Sequence, residues 1–279
     1  MRLGVDIGGS KIEVAVLDPG GGERLRRRIP TPRGEYGPAL EALAGHIVAA
    51  EKDAGERCDI GVGMPGLVDP ASGLVENAYN TPYNRTPLKA DLERRLGREI
   101  RFANDANCFV LSEAVDGAAR GKRVVFGAIL GTGAGGGIVV DGRVLEGRHG
   151  IAGEWGHTPL PWMSADEHPG PLCNCGRHGC IEQFVSGPAK NRELSRIGEE
   201  AAMARWEDRV ARALSTIINI LDPDIIVVGG GMSKHDRLFA NVPGLLKKYV
   251  YCRNPTTPIV RAVHGDSSGV RGAAMLWPA

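Results

Sequence analysis

Two stretches of the chain share one pattern, an apolar run, a cluster of glycines and a second apolar run. From Leu3 to Asp18, L-G-V-D-I passes through G-G-S-K into I-E-V-A-V-L. From Val124, V-V-F-G-A-I-L passes through G-T-G-A-G-G-G into I-V-V-D-G. Short apolar runs bounded by glycines predict strands, so each stretch predicts a strand, a glycine turn and a returning strand. The repetition suggests two related halves. Helical spacing lies between and after them. Tyr36, Leu40, Leu43 and Ile47 line one face, as do Leu88, Leu92 and Leu96, with Pro87 opening that second helix and Gly97 closing it. A strand around Ile100 and Phe102 leads through N-D-A-N-C into a helix expected to reach about Ala119. Met203, Trp206, Val210, Leu214, Ile217 and Leu221 predict a long amphipathic helix stopped by Asp222-Pro223. The run I-I-V-V then enters Gly229-Gly230-Gly231. Strands mixed with helices, with glycine turns at strand ends, predict an α/β architecture whose ligands sit near those ends.

The 279 residues suffice for one large or two modest domains. A net charge of +1, from 34 basic and 33 acidic residues, gives no electrostatic case for nucleic acid or an anionic membrane. No run of 18 apolar residues predicts a membrane span, and the N-terminus lacks a signal-peptide core. A reducing cytoplasm is therefore expected, with Cys58, Cys108 and Cys252 as small buried hydrophobes.

The 40 glycines are clustered, which marks places where backbone must approach something closely. Three clusters at strand ends suggest a polyanionic ligand gripped at several points. Residues 131–136 match G-x-G-x-x-G literally. The dinucleotide fingerprint, however, needs a helix after its turn, and here a strand follows. No cluster has the Walker A form. A hairpin turn whose backbone N–H groups form an anion nest remains, beside the alternative of plain tight turns.

Two further patterns carry chemistry. His157 lies sixteen positions before Cys173, and Cys175 and Cys180 follow in a glycine-rich turning segment. Cys3His is a usual closed tetrahedral zinc set, which leaves no place for substrate, so a metal here would be structural. The alternative is a loop of small buried residues. Asn104-Asp105 stands between a strand and a helix. Either residue could cap the helix, while a carboxylate there could orient an alcohol and accept its proton during phosphoryl transfer. No Ser-His-Asp set or nucleophile elbow competes for that chemistry.

Taken together, these motifs resemble the ROK family of sugar kinases. D-I-G-G-S-K (Asp6 to Lys11) and L-G-T-G-A-G-G-G (Leu130 to Gly137) resemble its two phosphate motifs, and G-G-G-M-S (Gly229 to Ser233) its adenosine-side motif. G-M-P-G (Gly63 to Gly66), N-D-A-N (Asn104 to Asn107) and G-E-W-G-H (Gly153 to His157) resemble its sugar and base motifs, and the cysteine run its zinc signature. The G-E-W-G-H-T-P-L-P-W-M stretch and the C-terminal H-G-D-S-S-G-V-R-G-A-A-M-L-W-P look most like the bacterial fructokinase (manno-fructokinase) branch, with N-acetylglucosamine kinases close by and the glucokinases somewhat less so.

The resemblance implies an actin/hexokinase-like (ribonuclease H-like) two-lobed fold, with residues 1–116 plus 266–279 in a small lobe and 117–265 in a larger one. It implies ATP with Mg²⁺ as co-substrate, one structural Zn²⁺ on His157, Cys173, Cys175 and Cys180, a small-molecule sugar and a homodimer. Asp105 is implied as catalytic base, with Gly66, Asn104, Asp105, Glu154, His157 and Glu182 on the sugar. Asp6, Gly8, Gly9, Ser10, Lys11, Gly131, Thr132, Gly133, Gly135, Gly136, Gly137, Gly230 and Gly231 are implied on the nucleotide. From Glu182 to about Arg205 the chain is shorter than such enzymes lead one to expect, in a region that borders their dimer interface. A sugar-sensing repressor would need a helix-turn-helix ahead of Leu3, and an actin-like assembly protein would have little use for Asp105 together with the cysteines. The expected reaction is transfer to the 6-hydroxyl of a hexose. Fructose ranks ahead of N-acetylglucosamine because Tyr79 or Tyr83, if placed over the pocket, would disfavour a 2-acetamido group; both could instead pack beneath their loop.

Overall fold

A computed structural model describes residues 1–278. The chain divides into two compact units. The first holds residues 1–116, 144–152 and the C-terminal segment from Asp266; the second holds 117–143 and 153–265. The segment 144–152, expected in the larger part, thus belongs with the first unit.

The first unit runs β1 (Arg2–Ile7), β2 (Lys11–Leu17), β3 (Glu23–Pro30), α1 (Tyr36–Ala54), β4 (Asp59–Met64), the two-residue strands β5 (Leu67–Val68) and β6 (Val75–Glu76), α2 (Leu88–Leu96), β7 (Ile100–Asn104) and α3 (Asp105–Val115). The second continues with β8 (Val124–Leu130), β9 (Ala134–Val140), β10 (Arg143–Val144), α4 (Glu182–Val185), α5 (Gly187–Ile197), α6 (Glu199–Leu221), β11 (Ile225–Gly229), α7 (Asp236–Leu245) and β12 (Ile259–Arg261). Helix α8 (Ser268–Ala274) closes the first unit.

Both sheets are built on one plan. The first has the order β3-β2-β1-β4-β7 and the second β10-β9-β8-β11-β12. In each, a glycine-turn hairpin is antiparallel and two further strands join in parallel. The repeated motif in the sequence is therefore a repeated sheet topology. Parallel strands need helical crossovers, and α1 and α2 supply them in the first unit, α6 and α7 in the second.

The apolar stripe of α1 buries Leu43 and Ile47 against Leu3, Val5, Val14 and Ile60. In the second unit α6 buries Met203, Trp206, Val210 and Leu214 among Phe126, Trp155 and Ile226. Trp206 Nε1 donates to the Val185 carbonyl at 2.8 Å, so the indole is buried without an orphaned donor. Helix α8 lies directly on glycines. A methyl group at Gly4 would collide with the Val270 carbonyl, one at Gly61 with that of Ala273, and one at Gly272 with that of Cys108. These absent side chains bring β1, β4 and the start of α3 together under one helix.

Several expectations need correction. Helix α3 stops at Val115, short of Ala119. Gly135, Gly136 and Gly137 belong to strand β9, paired with Ile129, Ala128 and Gly127, rather than to the turn. Gly136 is required there by packing, since a methyl would stand 2.7 Å from the Trp155 ring. Cys58 and Cys108 are buried as expected, whereas Cys252 is exposed. Among the described residues no helix is long and apolar enough to cross a membrane.

Candidate active site

In the first unit, the side chains expected to act lie where β1, β4 and β7 end. Beyond β1 the chain turns at once into β2, and the Gly8 N–H donates to the Lys11 carbonyl at 2.9 Å. Thr31, which sequence reasoning did not single out, pins this turn from the end of β3: its hydroxyl donates to the Gly8 carbonyl at 2.6 Å and its N–H to the Ser10 carbonyl at 3.0 Å. Gly9 lies against the loop after β6, where a methyl would stand 3.2 Å from Asn80 Cβ. Lys11 pairs with Glu13 at 3.3 Å. A buried carboxylate in its own unit thus already engages this expected phosphate ligand.

At the end of β7, Asn104 caps α3. Its side-chain oxygen accepts from the Ala106 N–H at 2.8 Å, and its Nδ2 donates to the Gly66 carbonyl at 2.9 Å. Gly66 has φ +73°, and a methyl on it would collide with the Glu76 carbonyl. The capping reading of Asn104-Asp105 is therefore met mainly by Asn104. Asp105 is exposed in the first turn, and its Oδ1 also accepts from the Ala106 N–H at 2.8 Å. A second carboxylate lies close by. Burial, then the charges of Asp105 and Glu13, push Asp6 up to about 6, with Lys11 opposing. Gly269 in α8 makes room for Asp6, because a methyl there would stand 2.9 Å from its Oδ2.

A cavity of about 680 Å³ borders this region, lined by Gly9, Ser10, Arg33, Tyr79 and Asn80 among others. Tyr83 is fully buried beneath the loop, donating its hydroxyl to the Ala39 carbonyl at 3.2 Å. Tyr79 is 75% exposed on the cavity rim and hydrogen-bonds Asn77.

The second unit holds the other turn and the cysteines. Gly131, Thr132 and Gly133 form the turn between β8 and β9, closed by a bond from the Gly131 N–H to the Gly133 carbonyl at 3.0 Å. At the end of β11, Gly230 has φ +78°, and a methyl on it would stand 2.5 Å from the Leu130 carbonyl; Gly231 begins the following 3₁₀ turn. Glu154 precedes the 3₁₀ turn Trp155–His157. Burial raises its carboxyl above the usual value, against a lowering pull from His157 and with a further push from Glu182.

One ligand atom each from His157, Cys173, Cys175 and Cys180 lie within 4.8 Å of one another. Nδ1 of His157 is 3.5 Å from Cys173 Sγ, and Cys175 Sγ is 3.5 Å from Cys180 Sγ. Tetrahedral zinc with bonds of about 2.0–2.3 Å requires donors roughly 3.3–3.8 Å apart, so the donor set fits the ion in chemistry, and these two pairs fit it in spacing. The Arg177 backbone N–H, then hydrogen bonds from Cys180 and Cys173, draw the Cys175 thiol down, while burial, then Cys175 and Cys173, push Cys180 up, so the two thiols titrate as a pair. Because Nδ1 faces the sulfurs, Nε2 remains for another partner.

Between His157 and Cys173, Glu167 is buried and accepts from Arg209 Nε at 2.8 Å and from both Arg212 terminal nitrogens at 2.9 Å. Sequence reasoning missed this cluster. Its only sequence signal is two arginines on the apolar helix α6, far along the chain from their partner.

A model of the ROK family matches residues 2–206 and 192–279. An N-acetyl-D-glucosamine kinase of Pectobacterium atrosepticum is 39% identical, covering 99% of this chain and 98% of that protein. Among solved structures, a ROK hexokinase from Thermus thermophilus is 31% identical with a TM-score of 0.86, covering 99% of this chain and 97% of its own. A ROK family glucokinase from Streptomyces griseus, solved with glucose and AMPPNP, is 28% identical with a TM-score of 0.77, covering 99% and 98%. Glycine turns at equivalent places in two like sheets, an exposed carboxylate beside its Asn cap and similarity along the whole length agree, and the chain belongs to the ROK family, with the actin/hexokinase-like fold.

Proposed function

We propose that this protein is an ATP-dependent kinase that phosphorylates N-acetylglucosamine at its 6-hydroxyl. The observation that carries the reading is the 39% identity, over essentially the full length of both chains, with an N-acetyl-D-glucosamine kinase. It supports N-acetylglucosamine better than the fructose expected from the sequence. The physical ground for that preference is weakened as well, because Tyr83 packs fully buried under its loop instead of standing over a pocket.

In this reading Asp105 accepts the proton of the 6-hydroxyl while the oxygen attacks the γ-phosphorus and the bond to the bridging oxygen of ADP breaks. Asn104 orients its neighbour by capping α3 and holding Gly66. The N–H groups of Gly9, Ser10, Thr132 and Gly133 would bind phosphate oxygens of MgATP, since those of Gly8 and Gly131 already close their own turns, and Asp6 would serve its magnesium. Gly230 and Gly231 serve the adenosine side. Glu154, Glu182 and Nε2 of His157 bind sugar hydroxyls, and a structural zinc on His157, Cys173, Cys175 and Cys180 fixes that imidazole's tautomer. A coupled ATP-consumption assay against N-acetylglucosamine, glucose, mannose and fructose tests the reading. The highest kcat/KM should fall on N-acetylglucosamine; a higher value for fructose would restore the rejected ranking, and no turnover with any sugar would remove the kinase assignment.

A further inference from the structure

The cysteine cluster and the second glycine turn are joined by a short, rigid piece of chain. Cys180 is followed, after one residue, by Glu182, the first residue of α4. The Ile181 N–H donates to the Thr158 carbonyl at 2.8 Å, next to His157, so residues on both sides of the ligand set feed into the start of this helix. Its body is wedged in the core: Ile181, Phe184 and Val185 are buried with Trp155 and Trp206.

From this fixed position α4 and the first residue of α5, which follows it after Ser186, grip the two ends of the turn. At its start, Glu182 Oε2 accepts from the Ala134 N–H at 3.2 Å, and a methyl on Gly133 would collide with the same oxygen. Just beyond its end, the Gly187 N–H donates to the Gly131 carbonyl at 2.8 Å. The amides of Thr132 and Gly133 lie between these two anchors. An amide turn binds phosphate well only when its N–H groups are held convergent before the ligand arrives, because ordering them on binding would cost affinity.

We infer that α4 is a strut through which the Cys3His set governs the nucleotide turn, with Glu182 and Gly187 as positioning residues in addition to any contact Glu182 makes with sugar. Metal loading then sets nucleotide affinity, without the metal touching the nucleotide. This rests on the reading of 131–133 as a nucleotide turn.

The test combines amide hydrogen exchange over residues 128–138 with calorimetric MgADP binding in the wild type, Cys175→Ser, Glu182→Leu and the double variant. Cys175 is exposed, so its loss opens the cluster without emptying the core. Each single variant should exchange faster in this segment and bind MgADP roughly tenfold more weakly, the scale of losing one supporting hydrogen bond. Exchange in α6 should be unchanged. Glu182→Leu should keep its zinc, and the double variant should be no worse than either single one, because both act on one element. Unchanged exchange in Cys175→Ser stripped of zinc, multiplied effects in the double variant, or wild-type behaviour of zinc-loaded Glu182→Leu would overturn the strut. A wild type that binds no MgADP would instead overturn the kinase reading, and the strut with it.

Discussion

Replacing Glu167 with Gln should destabilise the second unit more than any surface change. The carboxylate lies 4% exposed, receives three charged N–H bonds from Arg209 and Arg212, and accepts the Ser164 N–H at 3.1 Å. Removing one partner of a buried pair costs about 3–5 kcal/mol because the other charges stay behind. The lower end applies, since Arg212 keeps Asp208 at 3.0 Å and Arg209 lies 3.9 Å from Glu193. The electrostatics of the carboxyl point to a similar size. Burial alone would raise the Glu167 pKa, but the hydrogen bonds from Arg212 and Arg209 outweigh it and hold the group at about 2, against 4.5 ordinarily. That depression is worth roughly 3 kcal/mol at 1.36 kcal/mol per pH unit. A depressed carboxylate stabilises fully above its unfolded pKa, so the contribution is complete above about pH 5 and is lost as pH falls toward 2. With roughly 140 residues in this unit, a 3 kcal/mol loss lowers its melting temperature by about 10 °C if it unfolds alone. Urea unfolding of wild type and Glu167→Gln at pH 7 and pH 3 provides the assay. The gap should be near 3 kcal/mol at pH 7 and should narrow at pH 3. A variant within 0.5 kcal/mol of wild type at both pH values would refute the reasoning.

Gly61→Ala should cost at least ~1–3 kcal/mol in denaturant unfolding, because the methyl meets the Ala273 carbonyl of α8, a backbone atom that cannot turn aside; an unchanged midpoint would contradict the close packing of that helix. Tyr79→Ala should leave stability nearly unchanged while altering the ratio of kcat/KM between N-acetylglucosamine and glucose. Tyr83→Phe should do the reverse, losing about 1 kcal/mol with the buried bond to Ala39; a changed sugar ratio in Tyr83→Phe would show that the buried ring acts on the pocket after all. Metal analysis of protein prepared without chelator should find about one zinc per chain, and Cys175→Ser should have less zinc and a lower melting temperature; zinc-free, fully active protein would remove the metal.

What could be read from the sequence was local. The strand–glycine–strand units, the stripe of α1 and the length of α6 follow from neighbouring residues, and so does the metal-type spacing, because Cys173, Cys175 and Cys180 sit within one turn-rich segment. Long-range pairing stayed hidden. Strand β3, E-R-L-R-R-R-I-P, has no apolar run to mark it as a strand, yet Arg26 and Arg28 pair with Glu13 on β2, which is 1% exposed. Glu167 reads as a surface acid until Arg209 and Arg212 arrive from α6. Gly135 to Gly137 read as a turn because glycine favours turns, while tertiary packing against Trp155 makes them strand. No periodicity distinguishes buried Tyr83 from exposed Tyr79, four residues earlier. The sugar was the least legible feature, since it depends on where such loop side chains point.

The most direct test of an N-acetylglucosamine kinase with Asp105 as its base compares wild type and Asp105→Asn with N-acetylglucosamine and MgATP. Initial rates come from coupled ADP release, the product is identified by phosphorus NMR, and sugar affinity is measured by calorimetry. Wild type should yield the 6-phosphate. Asp105→Asn should fold, should bind sugar with little change, and should turn over ~10²–10⁴-fold more slowly, the usual cost of losing a general base. A variant with near-wild-type kcat would reduce Asp105 to a first-turn helix residue, and a wild type that releases ADP only with another sugar would contradict the substrate.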